Sequence, residues 1–205
     1  MARDTKEAIV ETAISLFNEQ TVAAVSTNHI ARELGLSPGN LYYHFRDKEA
    51  IILAIHDRMV GEWDTVWQLP RGRRPTSSDL AAIVEASFHL HWRFRFFGRE
   101  LLALMTRDPE LRERYRAVYR RRRDELAILA DQLISGGVLR AGMRDSLTEV
   151  LEGAWLVGEH WMGHLEIVGD PADHAQVRRG VDVIVSLLRP YLTPTGIAGL
   201  TTKES

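Results

Sequence analysis

"LSPGNLYYHFRDKEAI", residues 36–51, is the stretch on which the fold turns. Gly35, just before it, tolerates the left-handed backbone of a helix C-terminus. Ser37 can cap a new helix and Pro38 suits its first position, where a missing amide hydrogen costs nothing. The turn chemistry therefore predicts a very short helix ending near Phe45, with Asp47 capping the next. At about 100° per residue, Leu41 and Phe45 share the inward direction, Gly39 and Tyr43 point nearly opposite, and Asn40 and Tyr42 lie on the flanks. The polar and aromatic side chains are the ones left outside, so this helix is built to press against something other than its own core.

Upstream, Ser26 and Thr27 can cap a helix through Leu34 that turns Ile30, Ala31 and Leu34 inward. A first helix from Thr5 to Glu19 carries Ile9, Ala13, Leu16 and Phe17 on one face. Helix, tight glycine turn, short helix is the helix-turn-helix arrangement, whose second helix enters the major groove of DNA. The chemistry agrees. Ser37, Gly39 and Asn40 lie at a helix start that favours an anion such as a phosphate. The tyrosine hydroxyls can donate to phosphates, Asn40 can pair with a base edge, and Lys48 can neutralise a backbone charge.

Charge gives no help. The 205 residues carry a net charge of -2, and Arg3, Lys6, Arg32, Arg46 and Lys48 are opposed within residues 1–48 by Asp4, Glu7, Glu11, Glu19, Glu33 and Asp47. A DNA partner must be argued from arrangement and from doubling of contacts in a dimer, because each phosphate contact adds affinity through counterion release.

The run "TNHIARELGLSPGNLYYHFRDKEAI", residues 27–51, resembles the TetR/AcrR family of one-component bacterial regulators, over about residues 5–55. The resemblance implies DNA contacts at Thr27, Asn28, Pro38, Gly39, Asn40, Tyr42, Tyr43, His44 and Lys48. Family members commonly place a basic residue where this chain has Asn28. The expected fold is all-α: a three-helix DNA-binding domain over residues 1–50, a larger ligand-binding and dimerisation domain over 51–192, and a mobile tail over 193–205, with about nine helices in all.

Period-3.6 patterns cover the rest of the chain. The fourth helix runs from Lys48 to about Trp67 and "QLPRGRRPTSSD" interrupts with a loop. A fifth follows Thr76 to about Phe94, Gly98 punctuates, and a sixth continues through Met105. Asp108-Pro109 opens a long seventh helix to Ser135. Ser146 with Glu149 reads as a capping box for an eighth, to about Val168. Asp170-Pro171 opens the last, which ends near Pro190.

A single recognition helix reads few base pairs, so a two-fold partner is expected. The last two helices offer apolar stripes including Leu151, Ala154 and Gly158 on one and Val181, Ile184, Val185 and Leu188 on the other. The family resemblance makes them a four-helix bundle across the homodimer axis; intramolecular core is the alternative. Mid-helix Gly153, Gly158 and Gly163 each cost about 1 kcal/mol, and a close helix crossing would explain them. By resemblance the middle helices cage a small effector, with His89, Trp92, Phe96, Leu104, Trp155, Glu159 and Met162 as candidate lining. The absence of a dense charge group among them favours a largely apolar molecule.

His160 and His164 are spaced to share a helical face, but "EHWMGH" is not HExxH and offers no third ligand. An all-α metal enzyme using them with His89 and Glu159, and a constitutive DNA binder or activator, are the alternatives to a ligand-released repressor on a palindromic operator. "YRRRRDE", residues 119–125, reads as a solvated stretch pairing with Asp124 and Glu125. No cysteine is present, so thiolate metal sites are excluded, and no cofactor is expected. The N-terminus lacks an apolar signal core and no stretch approaches the roughly 20 apolar residues of a spanning helix. A cytoplasmic protein with no membrane partner is expected.

Overall fold

A computed structural model describes residues 2–68, 70 and 72–201. The chain forms helices α1 (Ala2–Glu19), α2 (Thr27–Glu33), α3 (Pro38–His44), α4 (Lys48–Val66), α5 (Ser77–Arg93), α6 (Arg95–Arg107), α7 (Pro109–Ser135), α8 (Arg144–Val168), α9 (His174–Leu188) and α10 (Pro194–Thr201). Among the described residues there is no strand, and a lone antiparallel bridge joins Leu139 to Leu192. The all-α expectation holds.

The helices gather into two compact units. The first, Met1–Glu62 with Arg93–Tyr115, takes in more than the three-helix head. Ile9, Ala13 and Phe17 of α1, Ile30 of α2, Leu41 of α3, Ile51 and Ile55 of α4 and Phe96 of α6 are all fully buried in it. Each fully buried Leu, Ile or Phe side chain contributes roughly 1.5–3 kcal/mol by leaving water. Phe17 and Phe96 meet with ring centroids 5.2 Å apart, which brings α6 against α1.

Gly98 was expected to break the chain but sits inside α6; the break lies at Phe94, whose buried ring and non-helical backbone separate α5 from α6. Glycine inside a helix weakens it without ending it.

The second unit, Trp63–Trp92 with Arg116–Ser205, is centred on Leu80, Phe88, Leu129, Leu133, Leu147, Met162, Ile184, Leu188 and Leu192. Helices α8 and α9 pack closely here. A Cβ on Gly180 would lie 2.4 Å from Phe88 Cε1 and 2.8 Å from Trp161 Cδ1, so this position has no room for a side chain. Gly158 plays a milder part, with His91 Nε2 at 3.1 Å from its absent Cβ, whereas nothing approaches Gly153 within 4 Å.

Four further expectations are corrected. The eighth helix starts at Arg144, ahead of Ser146, following a 3-10 turn over Ala141–Met143. The ninth is capped by Asp173, whose carboxylate accepts from Ala175 N at 2.8 Å, and not by Asp170. Asp170 instead turns the preceding loop by accepting from Ala172 N at 2.8 Å. The unstructured tail from Thr193 is replaced over 194–201 by α10, anchored where Thr193 N donates to Val138 O at 2.9 Å and Thr193 Oγ1 to Gly137 O at 2.6 Å. Residues 202–205 of that expected tail lie outside the described residues.

The arginine run is the fourth, at one residue: Arg120, Arg121 and Arg123 are exposed and the expected pairing with Glu125 forms. Arg122 is only 2% exposed. Its guanidinium pairs with Asp64 and with Glu125 at 2.5 Å, and stands 5.8 Å from the Trp67 ring centroid. A buried guanidinium is tolerable only when paired in this way. Four consecutive residues point around the whole helix, so one of them had to face inward.

Candidate nucleic-acid interface

The turn between α2 and α3 follows from its sequence atom by atom. Ser26 accepts from His29 N at 3.1 Å and so opens α2. Past the last turn of α2, Gly35 adopts φ 64°, a backbone region open to glycine at little cost. Its amide donates to Arg32 O at 3.1 Å and the Leu36 amide to Ala31 O at 2.8 Å, the paired bonds of a Schellman stop. One residue later Ser37 Oγ accepts from Asn40 N at 3.2 Å. Of the first-turn amides, Pro38 has none and Asn40 is taken by the cap, while Gly39 between them is exposed.

On α3, Leu41 and Phe45 are buried, while Tyr42 is 49% and Tyr43 80% exposed. Pro38, Gly39 and Asn40 are exposed as well, as is Asn28 on α2. Burial thus divides the helix as its angular spacing requires. Tyr42 Oη and Thr27 Oγ1 lie 3.1 Å apart, a hydrogen bond that ties the outer face of α3 to the start of α2. His44, half-buried, stands edge-on to Tyr43 with centroids 5.1 Å apart. Tyr42 and Thr27 thus meet, and Asn28, Asn40 and Tyr43 are exposed on the same two helices.

Lys48, expected to neutralise a DNA backbone charge, also bonds within the protein. Its Nζ donates to Val22 O at 2.6 Å and Val25 O at 2.9 Å. Partial burial lowers its pKa first, and neighbouring Arg107 lowers it further, against the pull of Glu49 and Glu100. The ammonium is a strut beneath the loop between α1 and α2, with one of its three hydrogens left for any other acceptor.

The candidate effector-lining residues are divided between the two units. Phe96 and Leu104 are buried in the first unit. In the second, His89 is exposed, Trp92 donates through Nε1 to Pro171 O at 3.1 Å, and Met162 fills the core. Trp155 Nε1 donates to Glu159 Oε2 at 3.2 Å. A cleft of about 340 Å³, open solvent included, does border Trp155, and its other walls are Tyr119, Arg123, Leu126, Ala127, Leu151 and Glu152. Tyr119 stands perpendicular to Trp155 at 5.7 Å and donates to Glu152 Oε1 at 2.5 Å. That bond is the main cause raising the Tyr119 pKa, with desolvation second. Sequence reasoning missed Tyr119 and Glu152; the spacing 119, 123, 126 on one helical face was the available signal.

The expected interface residues divide in the same way. Ala154, Gly158, Ile184 and Leu188 are buried within the second unit, where α8 packs on α9. Leu151, Val181 and Val185 are half-buried. Among the described residues, the large apolar side chains of these helices that are exposed are Leu156, Ile167, Val168 and Leu187. His160 and His164 are exposed, and no group of three or more potential ligands assembles among the described residues. Among those residues, too, no helix is long and apolar enough to cross a membrane.

An all-α chain opening with a helix-turn-helix that shows a polar, aromatic recognition face has the architecture of a DNA-binding transcriptional regulator. The comparisons make this specific. Residues 9–55 match the family of bacterial regulatory proteins of the tetR type, and residues 58–200 match a TetR family described as bacterial transcriptional repressor. The chain is 40% identical over 58 residues to the uncharacterised HTH-type transcriptional regulator YerO of Bacillus subtilis (strain 168), a match covering 28% of this chain and 20% of that protein. It thus spans about a fifth of that relative's length.

Along nearly its whole length it is similar to a TetR-family transcriptional regulator from Marinobacter aquaeolei VT8. There the TM-score is 0.84 at 32% identity, covering 96% of this chain and 95% of that one. It shares its fold with a transcriptional regulator from Saccharomonospora viridis solved in complex with choline, at a TM-score of 0.73 and 20% identity over 91% of this chain and 96% of that one. The chain belongs to the TetR family of transcriptional regulators.

Proposed function

We propose that this regulator is a repressor that binds a palindromic operator as a homodimer and leaves it when a small, largely apolar effector binds. The observation that carries the reading is the division of α3, with Leu41 and Phe45 buried and Asn40, Tyr42 and Tyr43 turned out beside Thr27 and Asn28. Asn40 reads a base edge, the tyrosine hydroxyls and the Gly39 amide meet phosphates, and His44 and Lys48 flank them. Ser37 and Pro38 set the start of the helix and thereby its angle of entry. Residues 1–50 carry DNA reading, and residues 51–192 carry effector binding and dimerisation.

The effector occupies the second unit, against Trp155 and the cleft walled by Tyr119, Leu126 and Leu151. One fold neighbour's complex with a small organic molecule is in keeping with this. Dimerisation uses the outward apolar residues of α8 and α9, Leu156 and Leu187 foremost, with Leu151, Val181 and Val185 at their edges. Release is a population shift: the effector binds the DNA-incompetent arrangement of the dimer more tightly than the competent one.

Replacing Asn40 and Tyr43 together by Ala is expected to lower operator affinity at least a hundredfold, at about 1–3 kcal/mol per specific contact in each half-site, with the helical circular dichroism unchanged. Unchanged affinity in a gel-shift titration would show that α3 is not the reading helix. Titration of candidate effectors against the complex tests the switch, and a DNA affinity indifferent to all of them argues for a constitutive binder.

A further inference from the structure

We propose that Arg99 and Glu100 of α6 are positioning residues for DNA recognition, holding the end of α1 and the loop before α2 so that α3 is presented at the correct angle. The inference rests on the reading of α3 as the DNA-contacting helix.

The last carbonyls of a helix have no partner within it and must find one elsewhere. At the end of α1 these groups belong to Phe17 and Asn18, followed by Gln20 in the loop. One side chain gathers them: Arg99 Nη2 donates to Phe17 O at 2.7 Å and also to Gln20 O, while Nη1 donates to Asn18 O at 3.4 Å. A cation is also the favourable charge at this pole of the helix dipole. The neighbouring Glu100 accepts the Val22 amide in both oxygens, at 3.0 and 3.2 Å. Asn18 completes the grip in both directions, donating from Nδ2 to Arg93 O at 2.8 Å and accepting from Phe96 N at 3.1 Å.

The loop held in this way leads directly into α2, and its other side is held by Lys48 on the carbonyls of Val22 and Val25. Val22 is therefore fixed at its amide by α6 and at its carbonyl by α4. All of these bonds go to backbone, so they set chain position whatever side chains the loop carries. Because α2 carries α3 through the glycine turn and the Thr27–Tyr42 bond, displacement of the loop tilts the reading face. Arg99 and Glu100 themselves need touch no DNA.

The test separates placement from folding and from charge. The probes are a duplex that the intact protein enriches from a randomised pool and a duplex of unrelated sequence. A head that is folded but misaligned loses affinity for the first and keeps it for the second, since non-specific binding needs only phosphates. Arg99→Ala is expected to lower affinity for the enriched duplex about tenfold, in keeping with loss of charge-assisted bonds to backbone. Affinity for the unrelated duplex should stay within about twofold.

Arg99→Lys, which keeps the charge and several donors, should recover most of the loss, and Glu100→Ala should shift the ratio in the same direction as Arg99→Ala. Should Arg99→Ala lose its helical circular dichroism, Glu100→Ala carries the measurement alone. Wild-type ratios in both alanine variants, alongside lost binding in the Asn40 and Tyr43 variant, overturn the inference and spare the reading of α3. A wild-type ratio in that last variant overturns both.

Discussion

At the scale of single residues, Gly35 and two histidines bear the clearest physical constraints. Gly35 has nothing within 4 Å of its absent Cβ, so space does not select it; its φ of 64° does. Gly35→Ala is expected to cost about 1 kcal/mol, the penalty of a left-handed alanine, read as a lowered urea midpoint. His56 is 2% exposed and packs against Phe97 with centroids 6.0 Å apart. Its Nδ1 lies 3.5 Å from Asp57 Oδ1, and neither ring nitrogen has a hydrogen-bond partner. Asp57 is instead held by Arg114 at 2.8 and 3.0 Å. Burial is the largest effect and lowers the His56 pKa, with Asp57 opposing. Burial, followed by the charge of His160, pushes His91 down to about 3. Burial thus favours the neutral form of both rings in the folded protein, and the unfolded value is about 6.5. Their contribution is fully present above that value and is lost as pH falls through it toward the folded values. Urea midpoints should therefore drop between about pH 7 and about pH 5, and His56→Leu should flatten the dependence.

At the scale of elements, close approach of α9 to its neighbours is decided at Gly180. A methyl group there meets the Phe88 ring at 2.4 Å, inside any permissible contact. Gly180→Ala is expected to destabilise by about 1–3 kcal/mol through overpacking, despite the gain in helix propensity of about 1 kcal/mol. A rise in thermal midpoint would show that Phe88 swings aside at no cost. The sequence marked other glycines for such a crossing. Gly153 proves open and Gly158 only snug, because propensity shows that a glycine is tolerated but not what stands opposite it. The short helices were more legible: Ser26, Gly35, Ser37 and Asp47 delimit α2, α3 and α4 within a residue or so of their observed ends. Each of these ends is set by a bond spanning two to five residues, so local sequence suffices. Ser146 and Asp170 also carry cap chemistry, yet the helices begin elsewhere, since a capping side chain close to another can be outcompeted by packing of the turn around it.

For the whole molecule, the proposed operator binding would depend most on the proposed dimerisation, given the net charge of -2. Leu156 and Leu187 are 51% and 41% exposed on α8 and α9. Replacing both by Glu is expected to raise the monomer fraction in sedimentation, since carboxylates brought together across a two-fold axis repel and lose hydration. Operator affinity should fall with it, while the helical content of each chain stays unchanged. A dimer indifferent to both charges would move the interface off this face.

The outward residues of α3 were readable in advance because a helix's inner and outer faces follow from angular spacing alone. The effector-lining set was not. Phe96 and Trp155 look alike in sequence, both aromatic in apolar helices, and only the fold assigns Phe96 to the core beside Phe17 and Trp155 to a cleft wall. The same holds for Ala154, Ile184 and Leu188, whose stripes announced that a partner helix would cover them without saying that the partner was in the same chain. By itself the sequence determined the all-α class, the helix-turn-helix and which side chains of α3 face outward, because these depend on backbone stops and on periodicity. Tertiary structure decided which apolar stripe is spent inside, that Arg122 is buried, that Lys48 braces a loop and that α6 grips the end of α1. Those outcomes depend on which helix lies opposite, a relation between residues from 23 to 82 positions apart that no local spacing encodes.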